Sequence, residues 1–111
     1  MEIATLYVTA PHRESALSIA RQLVENRLIA CANIVEGVTS VYRWEDQIQT
    51  DAEVILLLKT RVDLIETVTE QIRSLHPYDC PCIVAWKSVG GNEPYLKWVE
   101  TETGPLPPDL A

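Results

Sequence analysis

Within residues 76–83, "HPYDCPCI", a histidine, an aspartate and two thiols fall within seven consecutive positions. His76, Asp79, Cys80 and Cys82 are all side chains that ligate metals. In extended chain, residues two apart share a face with Cα atoms roughly 6.5 Å apart. At that separation two thiolates chelate a soft ion such as Cu(I) or Zn(II), and His76 or Asp79 can complete the shell. The same residues also have an architectural reading. His76-Pro77 stops a helix, because the residue before a proline is pushed out of the α region. Asp79 closes a turn, and small thiols pack well in a core. A lone C-x-C lacks the second pair that makes zinc motifs specific. A Cys80–Cys82 disulfide is disfavoured, since the extended spacing lies at the upper edge of the roughly 4.4–6.8 Å that a disulfide accepts.

Other candidates are scattered along the chain. Cys31 sits among alanines in "IACANIV" and reads as an inert buried thiol, with a place facing a metal in an oligomer as the alternative. His12, with Arg13 beside it, stands where a helix begins, either as an anion site or as a plain cap. Lys59 and Arg43, together with Tyr42, Trp44, Tyr78, Tyr95 and Trp98, have the composition of a small-ligand pocket: aromatic walls and a few polar groups. An oligomer interface has the same composition. No G-x-S-x-G elbow, phosphate-cradling glycine loop or H-E-x-x-H is present, so no enzymatic activity is expected.

The elements that must position these residues follow from periodicity. β-formers over 2–10 end at Pro11, which predicts a strand. Ala16, Leu17, Ala20, Leu23, Val24 and Leu28 recur at three- and four-residue steps, predicting a helix from about 14 to 27. Residues 29–35 read as a short buried strand closed by Glu36 and Gly37. Residues 38–45 alternate, with Tyr42 and Trp44 on one side and Val41 and Arg43 on the other. A turn at Asp46 and Gln47 leads into a strand whose apolar run from 54 to 58 suits the centre of a sheet. Thr60 and Asp63 have capping-box spacing ahead of a helix over 61–75. A strand over 82–89, a loop and a short helix capped by Asn92 follow, with Tyr95, Trp98 and Val99 on one helix face. Residues 1–103 form one domain, and the proline-rich 104–111 form a mobile tail.

The order β-α-β-β-α-β is the split pattern of a ferredoxin-like α+β sandwich, here with a long hairpin and an extra helix. Two helices on one face leave the other uncovered, and with strands this apolar an oligomer partner is the natural cover. A net charge of -7 argues against a nucleic-acid backbone as partner. No run approaches the length of a membrane span, and three cysteines without an even, spread-out pattern fit reduced thiols in the cytoplasm.

Five blocks, "RLIACANI", "SVYRWE", "LLLKT", "HPYDCP" and "YLKWV", in this order and spacing, resemble the CutA family of divalent-cation tolerance proteins. The resemblance covers residues 3 to about 101. It implies a homotrimer in which sheets pack around the threefold axis and hairpin strands pair with the neighbouring subunit, an architecture similar to the PII signal-transduction proteins. It also implies tolerance of copper or another divalent metal ion, with no catalytic reaction. The family usually has Glu where this chain has Cys82, and often a glycine in the hairpin turn, where this chain reads "EDQ". The expectation is a metal-binding tolerance protein that uses His76, Asp79, Cys80 and Cys82. The alternative is a trimeric sensor that binds a small anionic ligand between subunits through Lys59 and Arg43.

Overall fold

Along β1 (Ile3–Ala10), Ala4, Leu6, Val8 and Ala10 are all fully buried. Alternation of side chains therefore assigns the even positions to one sheet face and Ile3, Thr5, Tyr7 and Thr9 to the other. The computed structural model describes residues 2–106. β1 pairs antiparallel with β3 (Gln47–Arg61) on one side and with β4 (Ile83–Lys87) on the other. β2 (Cys31–Trp44) pairs with β3, giving the order β2-β3-β1-β4. This is the ferredoxin-like arrangement that the element order implies.

α1 (Arg13–Glu25) and α2 (Ile65–Leu75) cover the even face of β1, joining Leu6, Val8, Leu56 and Leu58 to Ile19, Leu23, Val68 and Ile72 in one core. His12 caps α1, its Nδ1 accepting the Ser15 N–H at 3.1 Å. The far end of α1 closes with Leu28 N–H on the Leu23 carbonyl and Arg27 N–H on that of Val24. This is the Schellman pattern, and it places Arg27 at the left-handed position (φ 58°) where glycine is usual.

Three local expectations are corrected. The strands expected over 29–35 and 38–45 are one strand interrupted by a bulge. Val35 pairs with Ile55 and Val38 with Glu53, so Glu36 and Gly37 together oppose Val54 alone. Gly37 takes φ 77° there. The hairpin turn is formed by Glu45 and Asp46, not Asp46 and Gln47. Trp44 pairs with Gln47, and both turn residues are left-handed (φ 48° and 61°), the twist that two-residue hairpins require. The capping box at Thr60 does not form. Thr60 is fully buried and its hydroxyl donates to the Leu28 carbonyl at 2.6 Å, while Arg61 grips Asp63 with two bonds of 2.9 and 2.7 Å. A 3₁₀ turn (Val62–Leu64) leads into α2 instead.

α3 (Glu93–Glu102) changes the picture of the second face. Val99 is fully buried in a small cluster with Ile3, Ala30 and Leu96. Because Ile3 is an odd position of β1, α3 lies on the face opposite α1 and α2 and seals one end of it. Two guanidinium groups hold the end of this helix. Arg27 donates to the Gly104 and Thr101 carbonyls, each at 2.7 Å, and Arg61 donates to the Thr103 carbonyl at 3.2 Å. Cations at a helix C-terminus satisfy its orphan carbonyls and complement its dipole. Gly104 also returns its N–H to the Arg27 carbonyl, so the fold continues one residue past the expected boundary at 103. Of the expected tail, residues 107–111 lie outside the described part.

Candidate functional site

The other end of the odd face is not sealed by α3. Past the bulge, Ser40, Tyr42 and Trp44 point to the same side as Glu53, because Val38 pairs with Glu53 and alternation continues from there. The loop between α2 and β4 rises beside them. Together they enclose a cleft of about 580 Å³, floored by Tyr7 and Thr9 and flanked by Tyr78, Asp79, Cys80 and Cys82. Trp44 (57% exposed) and Tyr42 (42%) are largely open to solvent.

Hydrogen bonds to carboxylates tether two of the three tyrosines of this cleft. The Tyr42 hydroxyl donates to Asp51, and the Tyr78 hydroxyl donates to Glu53 at 3.0 Å. Burial together with the Glu53 carboxylate pushes the Tyr78 phenol up to about 12. The hydrogen bond to Asp51 raises that of Tyr42. Every charged side chain lining the cleft is acidic, Glu53 and Asp79.

His76 anchors the loop that carries the thiols. It is buried (8% exposed), its Nε2 lies 2.7 Å from the Thr9 carbonyl, and its Nδ1 accepts the Tyr78 N–H at 3.0 Å. The neutral Nε2–H tautomer satisfies both bonds at once. With both ring nitrogens engaged, His76 offers no free donor to a metal in this arrangement; it pins the helix stop to β1. Cys80 and Cys82 are exposed free thiols. Both precede β4, which starts at Ile83, so they lie in irregular chain rather than in the strand expected over 82–89. Asp79 is exposed beside them.

The remaining candidates are elsewhere. Tyr95 and Trp98 belong to α3, with ring centroids 5.6 Å apart. The Tyr95 hydroxyl lies 3.3 Å from the Cys31 sulfur, which is half-buried, and this contact together with burial pushes the Tyr95 phenol up to about 12. Lys59 stands opposite Cys31 on the neighbouring strand and donates to Asn33 at 2.8 Å. Arg43 pairs with Ile48, on the reverse side of the hairpin from Tyr42 and Trp44. Lys59 is eleven residues further along β3 than Ile48, roughly 35 Å in extended chain. The chain therefore brings Trp44, Tyr78, Asp79, Cys80 and Cys82 to the cleft and gathers Lys59, Tyr95 and Trp98 at the end covered by α3.

Sequence reasoning passed over Glu53, Asp51, Tyr7, Thr9 and Ser40. The alternation of residues 38–44 was visible, but the partners across β3 depend on the bulge, which periodicity does not announce.

As a metal centre, one chain is incomplete. Among the described residues no group of three or more His, Cys, Asp or Glu is placed to hold an ion. Two exposed thiols suit a soft ion of low coordination number and fall short of the four donors that zinc takes. No helix among the described residues is long and apolar enough to cross a membrane.

Comparison with known proteins agrees with the fold. Residues 4–102 match the family described as CutA1 divalent ion tolerance protein. The chain is 47% identical over 98 residues to the divalent-cation tolerance protein CutA of Pyrococcus horikoshii, covering 88% of this chain and 95% of that one. It is 45% identical over 97 residues to the Thermus thermophilus protein of the same description, covering 87% and 94%. Against the chloroplastic CutA of Arabidopsis thaliana it is 43% identical over 98 residues, covering 88% of this chain but 54% of the plant protein. The chain thus spans about half the length of such plant relatives. The crystal structure of rice CutA1 superposes with a TM-score of 0.91 at 40% identity, covering 94% of this chain and 95% of that one. The Thermus thermophilus structure does so at 0.90 and 43%, covering 92% and 99%. These descriptions point to tolerance proteins rather than enzymes. Matched over most of its length in sequence and in fold, the chain belongs to the CutA1 divalent ion tolerance family.

Proposed function

We propose that this chain contributes to metal-ion tolerance by holding copper, in its cuprous state, through Cys80 and Cys82 at the rim of the open cleft. The observation that supports this reading is that two free, exposed thiols line one cleft beside Asp79. Soft thiolates select Cu(I), and its low coordination number suits a two-thiol site. A divalent ion needs more donors than one chain gathers, so in this reading they come from a second copy. The assembly is a cytoplasmic homotrimer whose subunits meet over the exposed part of the odd face, where Val84 (48%) and Trp86 (52%) are open to solvent. Its partners are copies of itself, with no nucleic acid and no membrane. A small-anion sensor is the poorer fit. The cleft lining is acidic, and Lys59 and Arg43 stand on opposite sides of the sheet, so only another subunit could bring them together.

Competition for Cu(I) against a chromophoric chelator under reducing conditions tests the site. Cys80→Ser and Cys82→Ser should each weaken binding at least about tenfold, since even outer-shell changes at metal sites cost that much. Unchanged affinity in both variants would remove these thiols from the function. Light scattering that shows a stable monomer at micromolar concentration would overturn the assembly.

A further inference from the structure

We propose that the aromatic part of the cleft is a binding site for a small organic cation, an alkylammonium or guanidinium group, held by Tyr42, Trp44 and Tyr78 and by the charge of Glu53. The cleft's volume, about 580 Å³, is that of a small-molecule site. Aromatic rings line it from three separate elements: Tyr7 on β1, Tyr42 and Trp44 on β2, and Tyr78 on the loop before β4. Ring faces attract cations that shed water easily, and the attraction strengthens where solvent is partly excluded.

The charge of the lining selects the same class of ligand. Glu53 and Asp79 face the cleft, Asp51 stands behind Tyr42, and no lysine, arginine or histidine lines the space. The bonds from Tyr42 to Asp51 and from Tyr78 to Glu53 also fix both rings, so little side-chain freedom is left to lose on binding. A hard inorganic ion is a poorer occupant. Calcium demands six to eight oxygen ligands, whereas here Glu53 already accepts from a phenol and, among the described residues, no three-donor group is formed. An organic cation needs no such shell.

This inference goes beyond the metal reading and does not depend on it, because Cys80 and Cys82 take no part. Choline is a suitable probe, with its uncharged carbon isostere dimethylbutanol as control, followed by calorimetry on the assembled protein. Choline should bind saturably and about tenfold more tightly than the isostere, the ratio that one to two kcal/mol of cation–π attraction produces. Glu53→Gln removes the charge yet keeps an acceptor for Tyr78, and it should weaken choline about fivefold or more while leaving the isostere unchanged. Trp44→Leu should do the same at an exposed position where folding is not at stake. Cys80→Ser combined with Cys82→Ser should leave choline affinity intact, so a failed copper site and a failed cation site are distinguishable. Equal affinity for the isostere overturns the proposal. So does unaltered choline binding in Glu53→Gln, or no saturable binding below about 10 mM, as when a second copy fills the cleft.

Discussion

The two ends of the odd sheet face use similar residues and finish them in opposite ways. At one end Cys31, Tyr95 and Trp98 lie with α3, whose Val99 is fully buried and whose last carbonyls are held by Arg27 and Arg61. At the other, Tyr42, Trp44, Tyr78, Cys80 and Cys82 line an open cleft with acidic walls. Aromatic rings and thiols therefore do not by themselves mark a site. What separates the ends is whether the chain lays a helix of its own over the sheet: α3 buries Val99 against Ile3 and Ala30, although its Tyr95 (40% exposed) and Trp98 (42%) stay as open to solvent as Tyr42.

That contrast predicts where mutation is felt. The largest effect is expected at the sealed end. Val99→Asp should cost about 3–5 kcal/mol, the scale of an uncompensated buried charge, read from denaturant midpoints. If it left stability unchanged, α3 would not be a true cover. Next comes the hinge of the open end. His76→Ala strips two bonds from buried or half-buried backbone groups and should cost about 1–3 kcal/mol. The same change should loosen the 76–82 loop, seen as faster amide exchange at Tyr78.

A smaller effect separates the two tethered phenols. Tyr78 and Tyr95 both move from 10.0 to about 12, by burial first for Tyr78 and by the Cys31 contact first for Tyr95. The folded value is raised, so each phenol's contribution to stability is fully present below pH 10 and is lost as pH rises towards 12. Phenolate absorbance should show Tyr78 and Tyr95 ionising near pH 12. Cys31→Ala should lower Tyr95 strongly, while Glu53→Gln should lower Tyr78 only in part, since burial remains. The smallest effect is expected at Trp44. Trp44→Ser, at a 57% exposed position, should change unfolding stability by less than about 0.5 kcal/mol. A large loss there would mean that the open end is part of the core.

Much of the architecture could be read from periodicity, because alternation in β1 and β3 and the stripes of α1 and α2 are strong local signals. Where local pattern misled, a distant partner had intervened. Thr60 looks like a cap in its own neighbourhood, but it sits in a central strand and its hydroxyl is taken by Leu28, 32 residues away. His76 looks like a ligand until the Thr9 carbonyl, 67 residues away, claims its ring. Arg27 holds a glycine's conformation, and the reason lies at the end of another helix. Glu53 and Asp51 resemble ordinary solubilising acids in a chain of net charge -7, and only strand register sets them against Tyr78 and Tyr42.

The bulge at Glu36 and Gly37 carries one further consequence. It acts as a phase shifter: one surplus residue exchanges the two sides of everything downstream as far as the hairpin tip. With uninterrupted alternation from Cys31, the side chains beside Glu53 would be Val41 and Arg43, and the cleft would carry a fixed positive charge in place of two aromatic rings. A single glycine at φ 77° thus decides whether aromatic rings or a guanidinium stand beside the acids of a surface built by other residues.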